Sequence, residues 1–245
     1  EPMNDDFHYR SVIGKANFLE KSTRPDIAVA VHQCARFSSD PKQSHADAVR
    51  YFGKYLQGTQ DEGIYLDPDD DKSFECWVDA DFLGQYVKGA DDMELDAMTA
   101  KSRTGFIITY AGSPITWGSK LQREAALSST ESEYMAISEA FRVLLPLMDL
   151  LEEAKAMGVP MKLGAPVIHC KAFEDNSGAL ELARLPKMRP RTRHINVKYH
   201  HFREAVAKGR ITVQHVSTTE QLGDALTKNL TRDLFVTLRK KYMGW

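Results

Sequence analysis

The chain opens with helical periodicity and changes to strand-like patterning about a third of the way along. Ile27, Val31, Cys34 and Phe37 recur at helical spacing behind Arg24-Pro25-Asp26, and Pro25 suits a helix start. Ala46, Val49, Tyr51, Phe52, Tyr55 and Leu56 form a second apolar stripe that stops at Gly58. Residues 67–72, Asp-Pro-Asp-Asp-Asp-Lys, contain no apolar side chain and mark a boundary. The pattern then predicts strands at Phe74–Ala80, Thr104–Tyr110 and Ile115–Lys120, the last two forming a hairpin about Ala-Gly-Ser-Pro. Ser128–Ala156 is the longest predicted helix, with Ile137, Phe141, Leu144, Met148 and Leu151 on one face. A strand follows at Val167–Phe173, then a short helix through Leu185 and a helix at Ile195–Ala207. A strand at Ile211–Val216 precedes helices at Thr219–Lys228 and Arg232–Tyr242. This order describes an α/β domain over residues 73–230, a helical segment over 1–72 and a C-terminal helix over 231–245.

Composition adds limits. Hydrophobic residues are 42% and charged residues 27%, the mix of a soluble globular protein. Cys34, Cys76 and Cys170 are widely spaced with no C-x-x-C, which argues against a disulfide scaffold or zinc ribbon and fits a reducing compartment. No apolar run is long enough to span a membrane. The first residue is Glu1 and no signal peptide follows, so the chain reads as a piece of something longer. The net charge of −2 hides a strong asymmetry. Residues 61–96 carry a net −11, whereas residues 184–210 carry +8 and also hold His194, His200 and His201. Such a basic stretch points to a polyanion, and the acidic stretch tolerates one only if cations intervene.

Several chemistries lack their motifs: there is no P-loop, no G-x-G-x-x-G, no G-x-S-x-G and no H-E-x-x-H. Tyr65-Leu-Asp-Pro-Asp69 departs from a polymerase Y-x-D-D at Pro68. What remains is acids at element ends. Asp79 closes the first predicted strand, where a turn-initiating role is the plain alternative. Glu133 continues the apolar face of the long helix, so it needs a cation or donors. It is open to a second reading as part of a Thr130-x-x-Glu133 capping box, although Ser128-x-x-Glu131 serves equally well. Glu131 lies about 200° round the helix, so the inward member of the pair is taken as Glu133. Asp175 follows a strand at the end where ligands gather, and equally suits a helix N-cap. Asp224 by itself reads as a solvated helix residue. Carboxylates converging in one α/β domain beside a basic segment are what two-metal phosphodiester chemistry needs.

The chain resembles the ribonuclease H region of copia-type LTR retrotransposon polyproteins. The resemblance is carried, in order, by Thr23-Arg-Pro-Asp-Ile-Ala28, Val78-Asp-Ala-Asp81, Lys101-Ser-Arg-Thr-Gly105 and Ala126-Leu-Ser-Ser-Thr-Glu-Ser-Glu-Tyr-Met-Ala136. It continues through Glu174-Asp-Asn-Ser-Gly-Ala179, Arg191-Thr-Arg-His-Ile195 and Glu220-Gln-Leu-Gly-Asp-Ala-Leu-Thr-Lys228. It implies a ribonuclease H-like α/β fold, a five-stranded mixed sheet flanked by helices, with a helical N-terminal extension that resembles the tail of a reverse transcriptase. It implies endonucleolytic cleavage of the RNA strand of RNA–DNA hybrids with two Mg²⁺, Mn²⁺ being able to substitute. Asp79, Glu133, Asp175 and Asp224 are then the catalytic metal ligands. Arg189, Arg191, Arg193, His194 and Lys198 are the expected nucleic-acid contacts. The expected partners are the hybrid and the polymerase part of a reverse transcriptase or another protein. The expected location is cytoplasmic, in a virus-like particle, or nuclear, and not secreted. The alternative is a non-catalytic nucleic-acid or protein-binding module retained by a host from a retroelement. Three departures stand out: Glu174 replaces the Cys of the family's C-D-N-Q-S-A, Gly223 replaces the Ala of its L-A-D, and residues 86–100 lengthen a loop. The loop Ser217–Gly223 also lacks the His that many cellular ribonucleases H carry there.

Overall fold

The computed structural model describes residues 3, 7–69, 71–84, 100–160, 168–185 and 197–245, the side chains of 197 and 198 excepted. Three helices come first, α1 (Tyr9–Ser22), α2 (Ala28–Ala35) and α3 (Gln43–Gly58). The main body follows as β1 (Phe74–Asp81), β2 (Arg103–Tyr110), β3 (Ser113–Leu121), α4 (Ser129–Ala156), β4 (Cys170–Glu174) and α5 (Ser177–Arg184). It closes with α6 (Arg203–Ala207), β5 (Ile211–His215) and α7 (Arg232–Met243). The strands form one five-stranded sheet in the order β3-β2-β1-β4-β5. β2 runs antiparallel to both β1 and β3, whereas β4 runs parallel to both β1 and β5. This is the five-stranded mixed sheet, flanked by helices, that the resemblance implies.

The β2–β3 hairpin turns through Ala111 (φ 51°) and Gly112 (φ 76°). Two positive φ values match the right-handed twist of the flanking strands. β3 is an edge strand and takes Pro114 beside a register shift at Ile108/Thr109, where a missing N–H is harmless. α4 covers one sheet face. Its buried Ile137, Phe141, Leu144 and Met148 pack with Phe74, Cys76 and Val78 of β1, Cys170 and Ala172 of β4, and Ile211 and Val213 of β5.

The opposite face is covered by α7, a short 3-10 turn at Leu222–Leu226 and the N-terminal helices. Ile107 and Trp117 of the sheet join Ala28, Leu222, Leu226, Leu238 and Tyr242 there. Trp117 Nε1 donates to Glu20 O at 2.9 Å, and Arg103 Nη2 donates to Gln33 Oε1 at 2.8 Å. Trp245 Nε1 donates to Gly63 O, and the Arg24 guanidinium lies over the Trp245 ring. The helical segment also has its own core, built on Tyr9, Ile13, Val31, Val49 and Phe52.

Several elements differ from the sequence expectation. The helix expected at Ile195–Ala207 is a 3-10 turn, Val197–His200, followed by the short α6. Tyr199 and Phe202, three residues apart, are both buried in the α4 layer, and Phe202 packs edge-on to Phe141. The helix expected at Thr219–Lys228 is two 3-10 turns, Thr218–Glu220 and Leu222–Leu226, interrupted at Gln221. The Gln221 side chain is fully buried. Its Nε2 donates to Val78 O and its Oε1 accepts from Gly223 N, so it replaces helical bonds and pins the second turn to β1. β1 runs on through Asp81, which places Asp79 inside the strand and not at its end, and β4 begins at Cys170. Among the described residues no helix is long and apolar enough to cross a membrane.

Candidate active site

Asp79, Glu133 and Asp175 meet where the C-terminal parts of β1 and β4 face the start of α4. One carboxylate oxygen from each lies within 4.8 Å of the others. Asp79 is fully buried, Glu133 is buried and Asp175 is half-buried.

Local bonding explains why each side chain faces this point. Ser128 Oγ accepts from Glu131 N at 3.1 Å, and Glu131 Oε2 accepts from Leu127 N at 2.8 Å. Ser128 and Glu131 therefore take up the helix start, and Glu133 is left to point inward. The expectation that only one of the two acids is buried needs correcting, because Glu131 is buried too and is satisfied by its capping bonds. Asn176, not Asp175, caps α5, accepting from Ala179 N at 3.0 Å. Asp175 Oδ2 accepts from Thr218 Oγ1 at 3.0 Å.

Asp224 is almost fully buried in the Leu222–Leu226 turn, so it is not the solvated residue that sequence reasoning makes of it. It lies beside Asp79 but outside the three-carboxylate group, joined to it through Lys228. The Lys228 ammonium is 2.8 Å from Asp224 Oδ1 and 3.0 Å from Asp79 Oδ1. Thr227 Oγ1 donates to Asp79 Oδ2. The close approach depends on two glycines. A Cβ on Gly223 would lie 2.8 Å from both Asp79 Cβ and Asp79 N, and one on Gly105 would lie 2.9 Å from Gly223 O.

Sequence reasoning passed over Glu174. It is 1% exposed, its Oε1 accepts from Asn176 N at 3.0 Å, and its Oε2 is buried without a hydrogen-bond partner. Glu133 Oε2 is orphaned in the same way. Lys228 and Thr227 were missed as well. A period-2 signal existed for Glu174, which shares the core-facing parity of Cys170 and Ala172. For Lys228 the signal was its i+4 spacing from Asp224.

The electrostatics follow from this crowding. Burial, then the charges of Glu174, Asp79 and Asp175, push the Glu133 carboxyl well above the usual carboxylate range. Burial chiefly, with Asp79 and Asp175, does the same to Glu174. Asp224 is pushed up to about 7 by burial and Asp79, against the pull of Lys228. Burial opposes the charge on Lys228, but Asp79 and Asp224 outweigh it and keep the ammonium protonated. One ammonium cannot balance this group of acids. Orphaned buried carboxylate oxygens on an acid-rich, oxygen-only donor set fit a hard divalent cation such as Mg²⁺.

Of the expected nucleic-acid contacts, Arg189, Arg191, Arg193 and His194 lie outside the described residues. Lys198 falls in the Val197–His200 turn, with its side chain likewise outside them. Two histidines of the basic stretch dock on α4. Tyr134 Oη lies 2.6 Å from His200 Nδ1, and Ser138 Oγ lies 3.4 Å from His201 Nδ1.

No family model matches the chain. It is similar to the retrovirus-related Pol polyprotein from transposon RE1 of Arabidopsis thaliana, 34% identical over 239 residues, 98% of this chain and 15% of the relative. It is also similar to the Pol polyprotein from transposon TNT 1-94 of Nicotiana tabacum, 34% identical over 236 residues, 96% of this chain and 16% of that one. The chain thus spans less than a fifth of the length of these curated relatives. Among solved structures, a compost-derived ribonuclease H1 is 12% identical with a TM-score of 0.41, covering 64% of this chain and 93% of that one.

Proposed function

The chain belongs to the retrovirus-related Pol polyproteins of copia-type retrotransposons, and from that membership we propose that it is their ribonuclease H part, an endonuclease for the RNA strand of RNA–DNA hybrids. The observation that carries the proposal is the meeting of Asp79, Glu133 and Asp175 at one point, with Asp224 alongside. In this reading residues 73–230 are the catalytic unit, residues 1–72 the end of a reverse transcriptase, and residues 231–245 a helix that joins them. The Trp117–Glu20 and Trp245–Gly63 bonds support such a joint arrangement.

Asp79, Glu133, Asp175 and Asp224 would hold two divalent ions, Mg²⁺ or Mn²⁺. Bound there, they would supply an activated water and charge stabilisation at the phosphate and the departing 3′ oxygen. The protein's own part is orientation. Thr227 and Lys228 fix both oxygens of Asp79, and Gln221 fixes the turn that carries Asp224. Thr218 steadies Asp175. A hybrid presents 2′-hydroxyls on one strand only, across a wide minor groove, which gives the site a chemical basis for choosing the RNA strand. Arg189, Arg191, Arg193, His194 and Lys198 would supply phosphate contacts that set affinity. A polymerase segment of the same polyprotein is the natural protein partner, and the place of action is a cytoplasmic particle or the nucleus.

The test is a set of near-isosteric variants. Asp79→Asn, Glu133→Gln and Asp175→Asn should each abolish Mg²⁺-dependent hybrid cleavage while hybrid binding in Ca²⁺ persists. Asp224→Asn should be milder. Retained cleavage in the first three would refute the assignment. A wild-type protein that binds hybrid in Mg²⁺ without cutting it would favour a retained binding module.

A further inference from the structure

Lys228 is the odd group in this site. It is a cation set between Asp79 and Asp224, two of the four acids proposed as metal ligands. Its position is built, not incidental. Lys228 N donates to Asp224 O at 3.0 Å, which closes a helical turn and sets the two side chains on one face. The ammonium then bridges Asp224 Oδ1 and Asp79 Oδ1 at 2.8 and 3.0 Å. Among the described residues, the carboxylates close enough to share one ion are Asp79, Glu133 and Asp175, and Asp224 is outside that group.

We propose that Lys228 is an internal counter-ion of the metal centre: it holds Asp224 to Asp79 in the metal-free protein, confines tight binding to one divalent ion on Asp79, Glu133 and Asp175, and yields Asp224 to a second ion only by swinging out. The inference rests on reading these carboxylates as a divalent-metal site. An ammonium at contact distance satisfies the same oxygen atoms that a second cation would need, and two cations at one place repel. Swinging out is open to it. The Lys228 side chain is 33% exposed, against 3% for Asp224, so the stem reaches solvent while the acid stays fixed. Lysine suits this use because its charge is compact and its stem is flexible, whereas a guanidinium fork would lock the two acids together. Lys228 is thus a positioning residue that acts through Asp79 and Asp224.

The experiment counts ions without substrate. Mn²⁺ is titrated into the wild type, Lys228→Met and Lys228→Met/Asp224→Asn, with free Mn²⁺ followed by electron paramagnetic resonance. Thermal unfolding is measured in EDTA and in Mn²⁺. The wild type should bind one ion in the range where Lys228→Met binds two, the second ion tightening by about tenfold or more on loss of the competing charge. The double variant should return to one. Lys228→Met should be less heat-stable than wild type in EDTA and recover in Mn²⁺. A lysine that only braces the fold would lower stability in both media and leave the count unchanged. Should Lys228→Met fail to fold, Lys228→Gln keeps a donor to Asp224 and is predicted to show the same second ion. Equal counts and affinities in wild type and variant overturn the inference. A count of zero in both overturns the metal-site reading with it.

Discussion

Gly105→Ala separates the packing of the site from its chemistry. The added methyl would lie 2.6 Å from Thr227 Cγ2, 2.8 Å from Leu226 Cβ and 2.9 Å from Gly223 O. Ordinary carbon contacts fall at about 3.5–4.0 Å, so each approach is short by roughly half an ångström to one and a half. Leu226 Cβ and a backbone oxygen cannot rotate away, so the Leu222–Leu226 turn must move off the sheet. Overpacking of this kind costs about 1–3 kcal/mol. The displaced turn also carries Asp224 and leads into Thr227 and Lys228, which are bonded to Asp79. A shift near 1 Å at such groups reduces turnover on the order of 100-fold. The control is Gly118→Ala on β3. Its methyl would meet the Phe106 ring edge, 2.7 Å from Cε1 and 2.9 Å from Cζ, and not the turn. Urea unfolding should show lost stability in both variants, whereas single-turnover hybrid cleavage at saturating Mg²⁺ should collapse only in Gly105→Ala. Wild-type cleavage in Gly105→Ala, or an equal loss in Gly118→Ala, would refute the claim that Gly105 acts through the turn.

Glu133→Gln should lose hybrid cleavage, whereas Glu131→Gln should keep it and lose about 1 kcal/mol of stability through its weakened cap; the reverse pattern in a cleavage and urea assay would place the site on the wrong helix face. In EDTA, Asp224, Glu133 and Glu174 stay protonated in the folded chain at pH values where the unfolded chain has released those protons. Their stabilising contribution is therefore complete below about pH 4 and declines as pH rises, that of Asp224 being lost through about pH 7. Urea midpoints from pH 4 to 7 should fall less steeply in Asp224→Asn than in wild type, and identical slopes would contradict the assignment. Arg24→Met should cost about 3–5 kcal/mol, because Asp26 loses a buried two-point ion pair and is left with the Tyr55 hydroxyl. A loss below about 1 kcal/mol in guanidinium unfolding would show that the Thr23–Ala28 segment is not held by this pair.

The long helix α4 was legible because its apolar face repeats over 28 residues and one frame fits throughout. The hairpin was legible because Ala111-Gly112 falls between two β-rich runs. The segment 218–228 was not, since 3-10 turns and a helix share the same short apolar spacing. What divides it is a buried Gln221 side chain that bonds β1 from 143 residues away. The inward turn of Glu133 could be argued from its stripe, but the burial of Glu131 follows from a capping bond that spacing does not encode. Asp224 reads as solvated in sequence because its burial comes with its packing beside Asp79 on β1, far away in the chain. Glu174 was hidden by the Asp next to it, although strand parity places it among Cys170 and Ala172. No spacing rule links residues 79, 133, 175 and 224; the order of strands in the sheet, with α4 and the Leu222–Leu226 turn packed on its two faces, brings them close.

The most direct measurement is cleavage of an RNA–DNA hybrid whose two strands carry different end labels, in Mg²⁺, for wild type and Asp79→Asn. Single-stranded RNA and duplex DNA run alongside. The wild type should cut the RNA strand internally, leaving 3′-hydroxyl ends, and spare the DNA strand and both control substrates. Asp79→Asn should bind the hybrid and leave it whole. An intact hybrid with wild-type protein, cleavage of duplex DNA at a similar rate, or full cleavage by Asp79→Asn would contradict a metal-dependent ribonuclease H centred on Asp79.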